Sequence, residues 1–200
     1  MKRITILAAL LVLLVTSAFA QRRPTLTDDD IETTKTTSPK GDEKGSSSSS
    51  GWIEISPTAS GCKVLMPTRP TARTQMQDLP MLGQVEHHLL QATEGNNVYQ
   101  LTYFQLPSSE SVDINSAAFR QAFLSGVTKG LVKSLQGELI SETAINHEGA
   151  EGREAQIKVP SGVVWSRVFL INGKIYSLSV FSANSNLEGQ RRFFNSFSAK

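Results

Sequence analysis

Residues 163–181, VVWSRVFLINGKIYSLSVF, constrain this chain more than any other stretch. Two runs rich in β-branched and aromatic residues flank Asn172-Gly173, the pair best suited to a two-residue type I′ turn. A loop of that length sets the register. It places Ile171 opposite Lys174, Phe169 opposite Tyr176, Arg167 opposite Leu178 and Trp165 opposite Val180, and directly opposed residues share a face. One face then carries Trp165, Arg167, Phe169, Ile171, Tyr176, Leu178 and Val180. The other carries Val164, Ser166, Val168, Leu170, Ile175, Ser177, Ser179 and Phe181. Both hold large apolar groups, so the hairpin is predicted to lie centrally in a layered domain, covered on both sides. The serine-bearing face is shallower and suits the close approach of a helix.

The remaining segments divide into three parts. Residues 1–20 have the pattern of a secretory leader: Lys2-Arg3, a short apolar core over residues 4–15, and the small-x-small sequence Ala18-Phe19-Ala20. The apolar run is short for a membrane span of roughly 20 residues. The mature chain is expected to start at Gln21, a retained signal anchor being the alternative. Residues 21–51 are rich in Ser and Thr, poor in apolar side chains, and end in five consecutive serines, Ser46 to Ser50. They read as a disordered linker reaching about 30 Å on average. The globular domain is expected over residues 52–200.

Within that domain, residues 52–55 and 62–66 read as short strands around a turn, with Pro67 and Pro70 ending the second. Residues 71–77 suit a short extended segment. Residues 82–93 and 98–106 form an expected antiparallel pair, the second alternating Tyr99, Leu101 and Tyr103 with Val98, Phe104 and Leu106. The clearest helix spans residues 115–136, where Phe119, Phe123, Val127, Leu131 and Leu135 recur at i, i+4 and Ala122 and Leu124 widen the stripe. Asn115 or Ser116 caps its start and Gly137 its end. Gly126 and Gly130, one turn apart, call for a close packing contact to offset their low helix propensity. Strands follow at 138–146 and 149–160. Ser185 and Glu188 form a capping box for a short terminal helix bearing Leu187, Phe194 and Phe197 near one face.

The strand before the central hairpin inherits its register. Whether the turn at Pro160-Ser161 holds two residues or four, Glu154 falls opposite Arg167 and Gln156 opposite Trp165. An arginine beside Phe169 and Leu178 needs a carboxylate partner. A cross-strand salt bridge is the plain reading. The sharper one makes Arg167 and Trp165 grip an anionic or planar ligand, with Glu154 steadying the guanidinium and Tyr176 lining the site. Arg153 points to the opposite face.

Charge and motif content limit the chemistry. Loss of Lys2 and Arg3 with the leader takes the 20 basic residues to 18, equal to the 18 acidic ones, so no basic nucleic-acid surface is implied. The single cysteine, Cys62, rules out an intrachain disulfide and is expected to be buried, pairing with another chain being the alternative. There is no G-x-S-x-G, and no histidine lies beside an evident Ser or Asp partner. His87 and His88 are adjacent on a strand, so they point to opposite faces and do not readily share a metal ion. His147-Glu148 sits at a turn, and Gly149-Ala150-Glu151-Gly152 is acidic and unlike a phosphate loop.

Several separated marks coincide: Trp52, Ser56-Pro57, Gly61-Cys62-Lys63-Val64, Pro67 and Pro70, then Gly149-x-x-Gly152-Arg153-Glu154, Arg167-x-Phe169 with its Asn-Gly turn and Tyr176, and Phe193-Phe194-Asn195-Ser196-Phe197. Together they resemble the exported bacterial branch of the PsbP-like superfamily over about residues 52–200. The resemblance implies an α+β fold, an α/β/α sandwich with a central antiparallel sheet covered by helices on its faces. It also implies a non-enzymatic binding role and carries over no catalytic residue. Cys62 stands where relatives usually have Phe. The chain therefore reads as an exported cell-envelope protein, periplasmic or secreted. Its domain is a non-catalytic binding or accessory module for an unknown protein or small ligand. No cofactor, metal or nucleic acid is expected, and Arg167, Trp165, Glu154 and Tyr176 are the candidate ligand-binding residues. A tethered structural module and an enzyme of unrecognised type are the alternatives.

Overall fold

The structure, a computed structural model, describes residues 31–34, 51–79, 83–107, 113–114, 116–183 and 187–200. The leader and the capping-box residue Ser185 lie outside the described residues. Among these, no helix is long and apolar enough to cross a membrane.

The element order is β1 (Ile31–Thr34), β2 (Ile53–Pro57), β3 (Cys62–Met66), β4 (Thr71–Leu79), β5 (Gly83–Glu94), β6 (Asn97–Gln105), α1 (Ala117–Ser134), β7 (Glu138–His147), β8 (Ala150–Val159), β9 (Gly162–Ile171), β10 (Lys174–Ser182), α2 (Leu187–Asn195) and β11 (Ser198–Ala199). Seven of the strands form one open sheet in the order β4-β5-β6-β10-β9-β8-β7. Every neighbouring pair in it is antiparallel. Two meanders, β4-β5-β6 and β7-β8-β9-β10, thus meet where β10 pairs with β6.

The central hairpin has the predicted register throughout, Ile171 opposite Lys174 to Trp165 opposite Val180. Asn172 and Gly173 have φ of 51° and 73°, the left-handed pair that a type I′ turn requires. Both faces are covered, as predicted. On one, Phe169, Tyr176 and Leu178 pack with Ile55, Val64 and Met66 of β2 and β3 and with Phe193, Phe194 and Phe197 at the C-terminus. On the other, Phe104, Val168, Leu170 and Ile175 pack with Phe123, Leu124 and Val127 of α1. The fold is α+β, with one long and one short helix on an antiparallel sheet.

The covering layer beside α2 is partly β-structure. β2 and β3 form a hairpin, β11 pairs with β3 to place Ala199 opposite Cys62, and β1 pairs with the outer edge of β2. Ile31–Thr34 belong to the stretch, residues 21–51, read from the sequence as a disordered linker. Those residues are β-branched apart from Glu32 and complete the free backbone edge of β2.

Helix α1 is shorter than the periodicity suggested. Ser116 caps it, its side chain accepting from the Phe119 N–H at 3.2 Å. At the other end Gln136, not Gly137, takes the left-handed conformation, with φ of 49°. Its N–H donates to Lys133 O at 3.2 Å and that of Gly137 to Val132 O at 3.0 Å, the two bonds of a Schellman motif. Gly137 is needed for space. A Cβ there would lie 2.6 Å from Ile157 Cγ2 and 2.7 Å from Lys158 O. Gly126 and Gly130 are buried, as their spacing suggested, whereas Ala122 is exposed and Phe119, Leu131 and Leu135 are only half-buried.

Phe123 sits at the centre of the α1–sheet contact, 8% exposed. Phe123→Ala is expected to cost about 3–5 kcal/mol in denaturant melts. A loss under roughly 1 kcal/mol would show that α1 does not seal this face.

Candidate functional site

The register of β8 against β9 places Glu154 opposite Arg167 and Gln156 opposite Trp165. Arg167 Nε donates to Glu154 Oε2 at 2.6 Å. The guanidinium carbon lies 4.9 Å from the centre of the Phe194 ring, and Nη1 reaches Asn195 Oδ1 at 3.5 Å. The arginine is thus held by a carboxylate from its own sheet and by an aromatic face from α2. With 22% of its side chain exposed, and 36% of that of Glu154, the pair sits at the seam between sheet and helix.

The other two candidates are more deeply enclosed. Trp165 is 9% exposed and Tyr176 1%. The Tyr176 hydroxyl donates to Ser60 O at 2.6 Å, and Lys174 Nζ donates to Ala59 O and Ser60 O, each at 2.9 Å. Burial, with smaller contributions from Cys62 and Tyr103, pushes the Tyr176 phenol well above its ordinary pKa. These contacts tie the β2–β3 turn to the central hairpin. Arg153 points to the α1 face, where Nη1 lies 3.7 Å from Glu142 Oε1.

Cys62 is buried and free. Burial pushes its thiol up to about 11, against the opposing influence of the Ser60 hydrogen bond and Lys174, which leaves it protonated and a poor nucleophile. His87 and His88 diverge as the strand alternation requires. His88 stacks on Tyr103 at 4.7 Å and is hydrogen-bonded with Thr74 Oγ1 at 3.0 Å. His87 lies beside Phe104 at 5.6 Å, with no hydrogen-bond partner at Nδ1. His147 Nε2 donates to Phe197 O at 2.6 Å. Among the described residues no three His, Cys, Asp or Glu side chains gather where a metal ion could be held.

Among the pockets between the described residues are two that open on the surface. One, of about 250 Å³, lies between the β2–β3 turn and β4–β5 and includes Arg73, Glu86, His88 and Tyr103. The other, of about 290 Å³, opens between the C-terminal half of α1 and the sheet. Leu131 and Leu135 form its helical wall, Val159, Pro160 and Ser161 its end, and Val98, Gln100, Val164, Ser179 and Phe181 its floor, with Gln91 at the margin. None of these side chains ionises near neutral pH. No sequence-predicted candidate lines either pocket. The larger pocket was missed because Leu131 and Leu135 have the spacing of core residues. The signal that does point to it is Gln91, Gln100, Ser166 and Ser179 in face positions otherwise rich in Val and Phe.

No protein-family model matches the chain, and no curated protein does. Among solved structures it is similar to cyanobacterial PsbP (CyanoP) from Synechocystis sp. PCC 6803, determined in solution. The TM-score is 0.47 and the identity 18%, over 82% of this chain and 100% of that one.

Two predictions follow from this geometry. Glu154→Gln and Arg167→Met should each lower stability by about 1–2 kcal/mol, and the double variant should recover part of the loss. If neither single change alters the denaturant midpoint, while Arg167→Met removes binding, the pair serves a ligand instead. The second concerns His87, whose pKa burial, followed by repulsion from His88, lowers from 6.5 to about 4. The folded state holds His87 neutral where the unfolded chain takes up a proton. Its contribution is therefore complete above about pH 6.5 and is lost towards pH 4, by no more than about 3 kcal/mol. His87→Leu should flatten that part of a stability-against-pH curve, and an unchanged slope would place the titration elsewhere.

Proposed function

We propose that this chain is an exported, non-catalytic binding or accessory domain of the cell envelope, holding its ligand or partner without transforming it. The observation that carries the reading is the uncharged pocket under α1. It is concave, largely apolar and provided with a few fixed polar groups, which is the composition of a binding site. Its lining holds no side chain that could serve as acid or base near neutral pH, so the hydroxyls of Ser161 and Ser179 have no activating partner within it. Elsewhere among the described residues, buried ionisable groups are shifted away from use: the thiol of Cys62 up to about 11, the phenol of Tyr99 up to about 12 chiefly by burial, and His87 down to about 4. Export is supported by the pattern of residues 1–20, and the PsbP-like assignment by the sequence marks between Trp52 and Phe197.

In this reading Arg167 and Glu154 fasten α2 to the sheet, Trp165 fills the core beside them, and Tyr176 braces the first hairpin. The test uses the mature chain from Gln21, immobilised and exposed to envelope extract. A component retained and eluted chemically unchanged is the expected result. Release of a modified product would instead make the protein an enzyme, and retention of nothing would leave it a structural tether.

A further inference from the structure

A polar row crosses the floor of the pocket under α1. Successive strand pairings place Gln91 opposite Gln100, Gln100 opposite Ser179, and Ser179 opposite Ser166. Gln100 Nε2 donates to Gln91 Oε1 at 3.0 Å, and Ser179 Oγ donates to Ser166 Oγ at 3.4 Å. The next row towards the pocket end is apolar, running Val98, Phe181, Val164. The helical wall is Leu131 and Leu135.

Two amides bonded to each other are only half satisfied. Each carboxamide has two donor hydrogens and an oxygen with two acceptor sites. After the single bond between them, the accepting glutamine keeps a complete NH₂ group and the donating one a complete C=O, whichever of the two donates. The pair therefore presents a donor and an acceptor side by side at the margin of an apolar slot. A group that both accepts and donates, such as a carboxamide or a hydroxyl, is its complement. A carboxylate supplies only acceptors and an ammonium only donors. Either ion would also enter a slot without a counter-charge, where burial of the charge is unfavourable.

We propose that this pocket binds a short neutral amphiphile, its apolar body between α1 and the Val98–Phe181–Val164 row and its hydroxyl or carboxamide head on Gln91 and Gln100. The volume, about 290 Å³, falls at the small end of small-molecule sites and fits one ring or a medium-length chain, not a full lipid. The inference rests on the reading of the domain as a binding module and names the chemistry of what that module holds.

The test titrates the ¹⁵N-labelled mature chain with octanamide, and with octanoate and octylammonium as ionic probes of equal chain length. Octanamide should shift the side-chain NH₂ resonances of Gln91 and Gln100 and bind at least about tenfold more tightly than either ion. Gln100→Leu should weaken octanamide about five- to tenfold and erase most of its advantage over the ions. Leu135→Trp, at a half-exposed helix end, should narrow the slot and lower affinity by a similar factor or more. Retained peak dispersion shows that each variant is folded. The inference is overturned if millimolar octanamide leaves both glutamines unshifted or if an ion binds equally well. It is also overturned if the face proves to be a dimer contact, with a doubled sedimentation mass that Leu135→Trp halves. In those cases, an envelope component still retained unchanged by the protein leaves the binding-module reading standing. Appearance of free octanoate and ammonia from octanamide would overturn that broader reading instead.

Discussion

Asn172 and Gly173 are two residues of left-handed backbone on which the parity of the large sheet depends. Side chains in a strand alternate, so a one-residue slip would exchange the two faces of β9. Phe169 and Trp165 would then face α1, and Ser166 and Val168 would face Phe193 and Phe197. The neighbouring pairings transmit the constraint: β8 takes its register from β9 through another two-residue loop, and β6 takes its own from β10. The salt bridge at the seam, the close approach of α1 and the polar row below it all follow from where that turn puts the first pair.

Features settled by alternation or turn length were legible in the sequence. The opposition of Glu154 and Arg167 was among them, since two- and four-residue loops give the same pairing. So were the divergence of His87 and His88, the two covered faces and the burial of Cys62. What the sequence withheld is how far elements slide along one another. Leu131 and Leu135 have perfect helical spacing with Phe123 and Val127, yet are only half-buried, because α1 packs chiefly over β8 and β9. That offset is a rigid-body property without a period, and it creates the pocket. The partners of Arg167 from α2 were hidden for the same reason. Strand β11 was hidden by its brevity, two residues being too few to show alternation.

The two faces of the sheet therefore differ in kind. The face under α2 and the small sheet is closed by stacked aromatics, with Phe169 and Phe197 centres 5.5 Å apart and Tyr176 and Phe197 centres 5.4 Å apart. Arg167 on it is held from two sides, by Glu154 and by the Phe194 ring. The face under α1 ends in glutamines and serines with hydrogen-bonding capacity to spare. The first face is thus filled by packed aromatic rings, and the second holds an open pocket with a polar row across its floor.

The pairing of β11 with β3 adds an element of time. Ala199 lies opposite Cys62, and Lys200 N–H donates to Gly61 O at 3.1 Å, so the strand carrying the only thiol is finished by the last residues of the chain. In a chain made N-terminus first, Cys62 exists long before the residues that pair with its strand. Its inertness is a property of the completed fold alone. Before it is enclosed, a thiol of ordinary reactivity is open to oxidation or pairing; burial in the finished fold is what pushes it up to about 11.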